Sequence, residues 1–191
     1  RIHVVDLDAA RVGAPANHTV AVDIAAAVSV PVQLGGGIRS LETASQVISL
    51  GLSRIIIGTA AGNGMDVVRS ACEVLGSEKI VVSIDTRDGY VALNGWTETI
   101  GLRPSELLRQ LEGVGVQRFV YTDIAQDGTL TEPNWDAIIG LYDSTGLNMI
   151  VAGGVSSIDH LLRLSEIGVE AAIVGKAVYT GNIELGEAVA A

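Results

Sequence analysis

The sequence predicts an α/β fold, a (βα)8 TIM barrel built from two half-barrel repeats, and three observations carry that prediction. Short β-branched runs alternate with longer segments of helical period, the pattern of a parallel sheet covered on both faces. No Pro/Ser linker or low-complexity stretch breaks the alternation, so residues 1–191 read as one (βα)-barrel domain. An internal repeat with an offset of 117 residues then divides that domain in two.

Taken in order, strands are expected near residues 2–7, 32–35, 54–58, 80–85, 118–123, 149–152 and 171–174. Amphipathic helices are expected near 18–28, 41–51, 64–75, 103–114, 134–145, 157–167 and 183–190. Pro104 marks one helix start, and Gly51 and Gly168 follow the last periodic residues of two others. Asp88-Gly89 followed by Tyr90-Val91-Ala92-Leu93 breaks the alternation and predicts a small hairpin, a lid element, standing on the end of the fourth strand.

The repeat aligns Gly36-Gly37-Ile38-Arg39-Ser40 with Gly153-Gly154-Val155-Ser156-Ser157 without a gap, then Gly51 with Gly168, Ile56 with Ile173, Gly58 with Gly175 and Ala60 with Ala177. It also carries Asp6-Leu7 onto Asp123-Ile124. Two halves of four βα units make a complete barrel, yet the repeat counterpart of Asp85 falls ahead of residue 1. The expectation is therefore a chain truncated at its N-terminus, holding strands 2 to 8 and missing the first βα unit. The start at Arg1, with no initiator Met and strand-like sequence at once, points the same way. An open doubly wound sheet is the competing fold, and the repeat argues against it.

Composition narrows the function. The chain has 48% hydrophobic residues, enough for a large core, and a formal charge of -10 from 22 acidic and 12 basic residues. Without a basic face, nucleic-acid binding is not expected. An acidic protein that binds an anionic substrate does so with local devices, backbone N–H groups and helix N-termini, and the chain's 23 glycines suit them. The single Cys72 cannot close an internal disulfide, no apolar run approaches the roughly 18 residues of a membrane span, and the N-terminal residues lack a signal peptide's pattern. A cytoplasmic protein, with no membrane partner and monomeric when complete, is expected.

In βα barrels the chemistry lies at the C-terminal ends of the strands. Gly35-Gly36-Gly37 and Gly58-Thr59 follow two strands of one half; Gly153-Gly154 and Gly175-Lys176 follow the matching strands of the other. These glycines either make tight turns or let backbone N–H groups approach phosphate, and four of them in register favour phosphate. The two sites would then face each other across the barrel mouth and hold a small molecule phosphorylated at both ends. Arg39 could add a bidentate contact or remain solvated; its counterpart is Ser156. Asp85 and Asp127, at or just beyond strand ends, are the candidate acid and base, with Gly128 beside Asp127 among the substrate-contacting positions. Asp6 and Asp123, being repeat equivalents, read as loop anchors. Thr122 could bond substrate or be an ordinary strand residue. Trp96, beyond the hairpin, could stack on a heterocycle or merely pack. His3, His18, His160 and Cys72 show no metal-ligand spacing.

His3-Val4-Val5-Asp6-Leu7, Gly35-Gly36-Gly37-Ile38-Arg39-Ser40, Ser83-Ile84-Asp85-Thr86-Arg87, Gln126-Asp127-Gly128-Thr129 and Ile173-Val174-Gly175-Lys176-Ala177 occur in one order. Together, over essentially the whole chain, they resemble the histidine-biosynthesis isomerases that convert phosphoribosylformimino-AICAR phosphate (ProFAR) to its ribulosyl form (PRFAR). The resemblance implies a cofactor-free Amadori rearrangement of an aminoaldose to an aminoketose. It places the proton donor on Asp85, with Asp127 a second acidic group near the ribose. Gly36, Arg39, Gly58, Thr59, Gly153, Gly154 and Gly175 take phosphate-binding positions, Gly37 lies in the same loop, and Trp96 and Thr122 take substrate-contacting ones. The family's proton acceptor belongs to the first strand, so the chain as given is expected to be impaired. Three alternatives remain: the sister cyclase barrel of imidazole glycerol phosphate synthase, a bifunctional isomerase that also acts on phosphoribosylanthranilate, and a non-catalytic phosphate-binding barrel.

Overall fold

The computed structural model describes residues 1–58, 64–93, 96 and 98–191. Strand β1 (Ile2–Val5) leads into helices α1 (Leu7–Val12) and α2 (His18–Ala27), and β2 (Val32–Gly35) into α3 (Leu41–Ser49). Then follow β3 (Arg54–Ile57), α4 (Gly64–Leu75), a 3-10 turn (Ser77–Lys79) and β4 (Ile80–Arg87). The antiparallel strands β5 (Tyr90–Leu93) and β6 (Glu98–Thr99) precede α5 (Pro104–Gly113). The second half runs β7 (Arg118–Asp123), α6 (Trp135–Asp143), β8 (Asn148–Ala152), α7 (Ile158–Ile167), β9 (Ala171–Ile173), α8 (Lys176–Tyr179) and α9 (Leu185–Ala190).

The sheet order is β1-β2-β3-β4-β7-β8-β9, and every neighbouring pair on that path is parallel. Alternate residues of each strand face opposite sides. Ile55, Ile57, Ile80, Val82, Ile84, Phe119, Tyr121, Met149 and Val151 join the helices in the main core. Ile56, Val81, Val120 and Ile150 form a separate small cluster on the other face. The floor of the sheet shows that it curls: Arg54 at the start of β3 lies 3.0 Å from Glu170, just before β9. In a flat sheet these strands, four positions apart, would be about 19 Å from each other at ~4.8 Å per strand. Arg118 at the start of β7 reaches the same carboxylate at 3.0 Å. The sheet is a nearly closed parallel barrel with helices outside, the TIM-barrel arrangement.

Local geometry recurs at the 117-residue offset. Ser40 and Ser157, both at φ -144°, cap α3 and α7 by accepting from the backbone N–H groups of Thr43 and His160. Gly51 and Gly168 both have φ 96°. Asn17 donates to the carboxylate of Asp6 at 3.1 Å, and Asn134 to that of Asp123 at 2.7 Å.

The first strand ends sooner than expected. A strand over 2–7 is cut at Val5, because the carboxylate of Asp6 accepts from the Ala9 N–H at 2.9 Å and starts α1. At the fourth strand the hairpin stands as expected, and β4 continues to Arg87 to pair with it.

Candidate active site

The candidate residues described lie near or just beyond the C-terminal ends of parallel strands, where the loops of such a barrel gather, except Trp96, which lies beyond the antiparallel β5. After β2, Gly36 and Gly37 adopt φ 105° and 72°; after β8, Gly153 and Gly154 adopt 87° and 75°. The turns admit no side chain at three of these positions, and a Cβ on Gly36 would run into the Asp6 carbonyl. A Cβ on Gly37 would lie 2.6 Å from the Cβ of Ala9, and one on Gly154 2.7 Å from the carbonyl of Glu132. Both strands thus end in tight left-handed turns, leaving bare backbone ahead of the capped helices α3 and α7. Gly58 is exposed beyond β3. Thr59, expected to continue that site, lies outside the described residues.

Asp6 is the anchor its place in the repeat implied. It is 4% exposed and accepts from the N–H groups of Ala9, Ala16 and Asn17. Desolvation opposes its charge, but these donors together hold the carboxyl below its ordinary range. His18, which the sequence reading left without a role, sits 3.4 Å from the Gly36 carbonyl and 3.8 Å from the Asp6 carboxylate.

On the other side of the mouth, Asp85 and Thr122 are register partners on β4 and β7, and Thr122 in turn pairs with Ala152 just before Gly153. Ser83 donates to one Asp85 oxygen at 2.9 Å. The indole N–H of Trp96 donates to the other at 3.0 Å. The hairpin therefore engages the carboxylate through the edge of Trp96, not through a free aromatic face. Trp96 holds φ 71°, unusual for a bulky residue, in making that contact. Neither bond has a sequence signature: Ser83 sits two residues before Asp85 in a strand, and the indole comes from across a hairpin.

Asp127 lies close enough to Asp85 to feel its charge. Desolvation, and then the negative charge of Asp85, push its carboxyl above the ordinary range, against a hydrogen bond from the Gly128 N–H. Asp127 thus favours its protonated form. Asp127, Gly128, Gly153, Gly154, Gly175 and Lys176 line one cavity of about 300 Å³. Lys176 donates to the Gly128 carbonyl at 2.7 Å. Arg39, in the other half, donates to the Ala10 carbonyl at 3.1 Å.

Among the described residues, no group of three or more His, Cys, Asp or Glu side chains is placed to hold a metal ion. No described helix is long and apolar enough to cross a membrane.

Known proteins carry the same pattern. The histidine biosynthesis protein family matches residues 1–184. A protein of Chloroflexus aggregans is 46% identical over 190 residues, spanning 100% of this chain and 78% of its own length. Relatives from Roseiflexus sp. (44% identical; 100% and 80%) and Moorella thermoacetica (47% identical; 99% and 79%) are similar to the same extent. All three are named 1-(5-phosphoribosyl)-5-((5-phosphoribosylamino)methylideneamino)imidazole-4-carboxamide isomerase. Matched over nearly its entire length, the chain belongs to the histidine biosynthesis protein family.

Proposed function

We propose that this protein is an isomerase of histidine biosynthesis, converting the aminoaldose ProFAR to the aminoketose PRFAR. The observation that carries the reading is the juxtaposition of Asp127, which feels the charge of Asp85, with the glycine turn at Gly153-Gly154 in one cavity. Relatives named for this reaction, at 44–47% identity, support it.

The turns at Gly36-Gly37, with Gly58, Thr59 and Arg39, grip one phosphate; those at Gly153-Gly154, with Gly175, grip the other. Support for two equivalent grips comes from their like dihedral angles and from the Ser40 and Ser157 caps behind them. The same likeness supports one domain of two half-barrel repeats. Between the grips the ribose lies over Asp85, Asp127 and Thr122. The carboxyl pair supplies the proton that opens the ribose ring at its oxygen, giving a Schiff base; a base then takes the C2′ proton to give the enol-amine, which tautomerises to the ketone. Burial and the charge of Asp85 favour the protonated form of Asp127, so Asp127 shares the acid role with Asp85. Trp96 and Ser83 fix the Asp85 carboxylate while the hairpin covers it. This chemistry stays within cytoplasmic small-molecule metabolism and needs no cofactor.

The test is turnover of ProFAR, followed by chromatographic separation of aldose and ketose. Product formation that falls by two or more orders of magnitude in Asp85→Asn supports the reading, in line with the ~10²–10⁴ contributed by a general acid. Unchanged turnover in that variant removes Asp85 from the mechanism.

A further inference from the structure

Lys176 lines the cavity of the proposed second grip beside Gly153, Gly154 and Gly175. Its ammonium spans 48 residues of sequence to reach the Gly128 carbonyl at 2.7 Å. Gly128, at φ 67°, is the residue whose N–H bonds the Asp127 carboxyl. The other bonds of this turn, from the N–H of Asp127 to the Asp123 carbonyl and from Thr129 to Gln126, stay within the loop. Lys176 joins the turn to the end of a different strand, β9.

An ammonium has three protons to donate, and among the described residues one of them is used. The cavity it lines is also lined by Gly153, Gly154 and Gly175. The sequence shows the arrangement is particular to this half. At the 117-residue offset the counterpart of Lys176 is Thr59 and that of Asp127 is Ala10, so cation and carboxyl occur together in one half and are both missing from the matching places in the other.

We propose that Lys176 is a positioning residue that links the second phosphate grip to Asp127: one ammonium proton fixes the Gly128 turn that orients the carboxyl, while the others take phosphate. Binding energy from a non-reacting end of the substrate is thereby spent on placing the acid, which raises kcat as well as lowering KM. The charged groups around the turn are Asp85 on β4, Asp123 at the end of β7 and Lys176 itself; Asp123 is already engaged by the Ala125 N–H and Asn134.

The linkage rests on the proposed phosphate grip but is tested apart from turnover, with Lys176→Met and Lys176→Arg and inorganic phosphate as the probe. Lys176 is exposed, so neither variant threatens the core. In Lys176→Met the Asp127 carboxyl, followed by carbon-13 NMR, is expected to titrate roughly half a pH unit higher as the Gly128 N–H is released. Saturating phosphate is expected to protect the Gly128 amide from hydrogen exchange in the parent and in Lys176→Arg, but not in Lys176→Met. An unchanged Asp127 titration together with equal protection overturns the proposal. So does a Lys176→Met enzyme whose KM rises while kcat and its pH profile stay as in the parent; the expected loss in kcat is about tenfold. A parent protein that does not turn over ProFAR would count against the functional reading alone, since titration and exchange still decide the linkage.

Discussion

Asp127 and His3 are two side chains whose protonation the fold perturbs in opposite senses, and each carries a stability prediction. The Asp127 carboxyl titrates above its ordinary range, so folding favours its protonated form. Its contribution is present below the unfolded carboxyl range and is lost as pH rises through the raised value. Asp127→Asn is therefore expected to melt at a higher temperature than the parent near pH 7, and the gain should vanish near pH 3, as thermal denaturation across that range would show. Burial pushes His3 down to about 4 from 6.5. Its neutral form, bonded through Nδ1 to Gln33 at 3.3 Å, is the one that folds. Stability is thus complete above pH 6.5 and falls between there and pH 4, by on the order of 3 kcal/mol. His3→Leu, which cannot charge, should flatten that part of a urea-denaturation profile. The position of Asp127 was legible from a motif beyond a strand end. Its interaction with Asp85 was not, because it depends on how β4 and β7 lie side by side. The Trp96 bond to Asp85 was equally hidden, since a hairpin sets its reach.

Strands and helices were largely legible because their periods differ, 2 against 3.6, and the parallel strands bury both faces. The exception at Leu7–Val12 has a physical cause. Apolar residues after a β-branched run read as more strand, and only the buried Asp6 carboxylate, accepting from three backbone N–H groups, turns the chain into α1. The turns that follow β2 and β8 test the phosphate-grip reading at this scale. In Gly154→Ala the new methyl must displace the Glu132 backbone, and the residue must hold φ 75°. The expected cost is about 2–3 kcal/mol in stability, read from denaturant midpoints. Affinity for inorganic phosphate should fall at least tenfold by calorimetry in the same variant. Intact phosphate binding would show that the turn serves packing only.

Across the whole molecule, the 117-residue repeat was visible in the sequence as matched glycines and aspartates, and the structure adds matched dihedral angles and caps. What the repeat could not reveal is what its unmatched side chains bond. Arg39, after β2, donates to the Ala10 carbonyl, whereas Lys176, after β9, donates to the Gly128 carbonyl. Nor could it reveal the floor of the barrel, where Arg54 and Arg118 converge on Glu170 from strands distant in sequence. In the proposed reading the two halves together form one mouth with two anion-binding turns and a carboxyl pair between them, in a chain of net charge -10. The most direct test of that arrangement is conversion of ProFAR by the purified protein, assayed beside Asp85→Asn. The account predicts PRFAR as the product and a loss of two or more orders of magnitude in the variant; ProFAR bound but returned unchanged by the parent, or converted equally well by the variant, would contradict it.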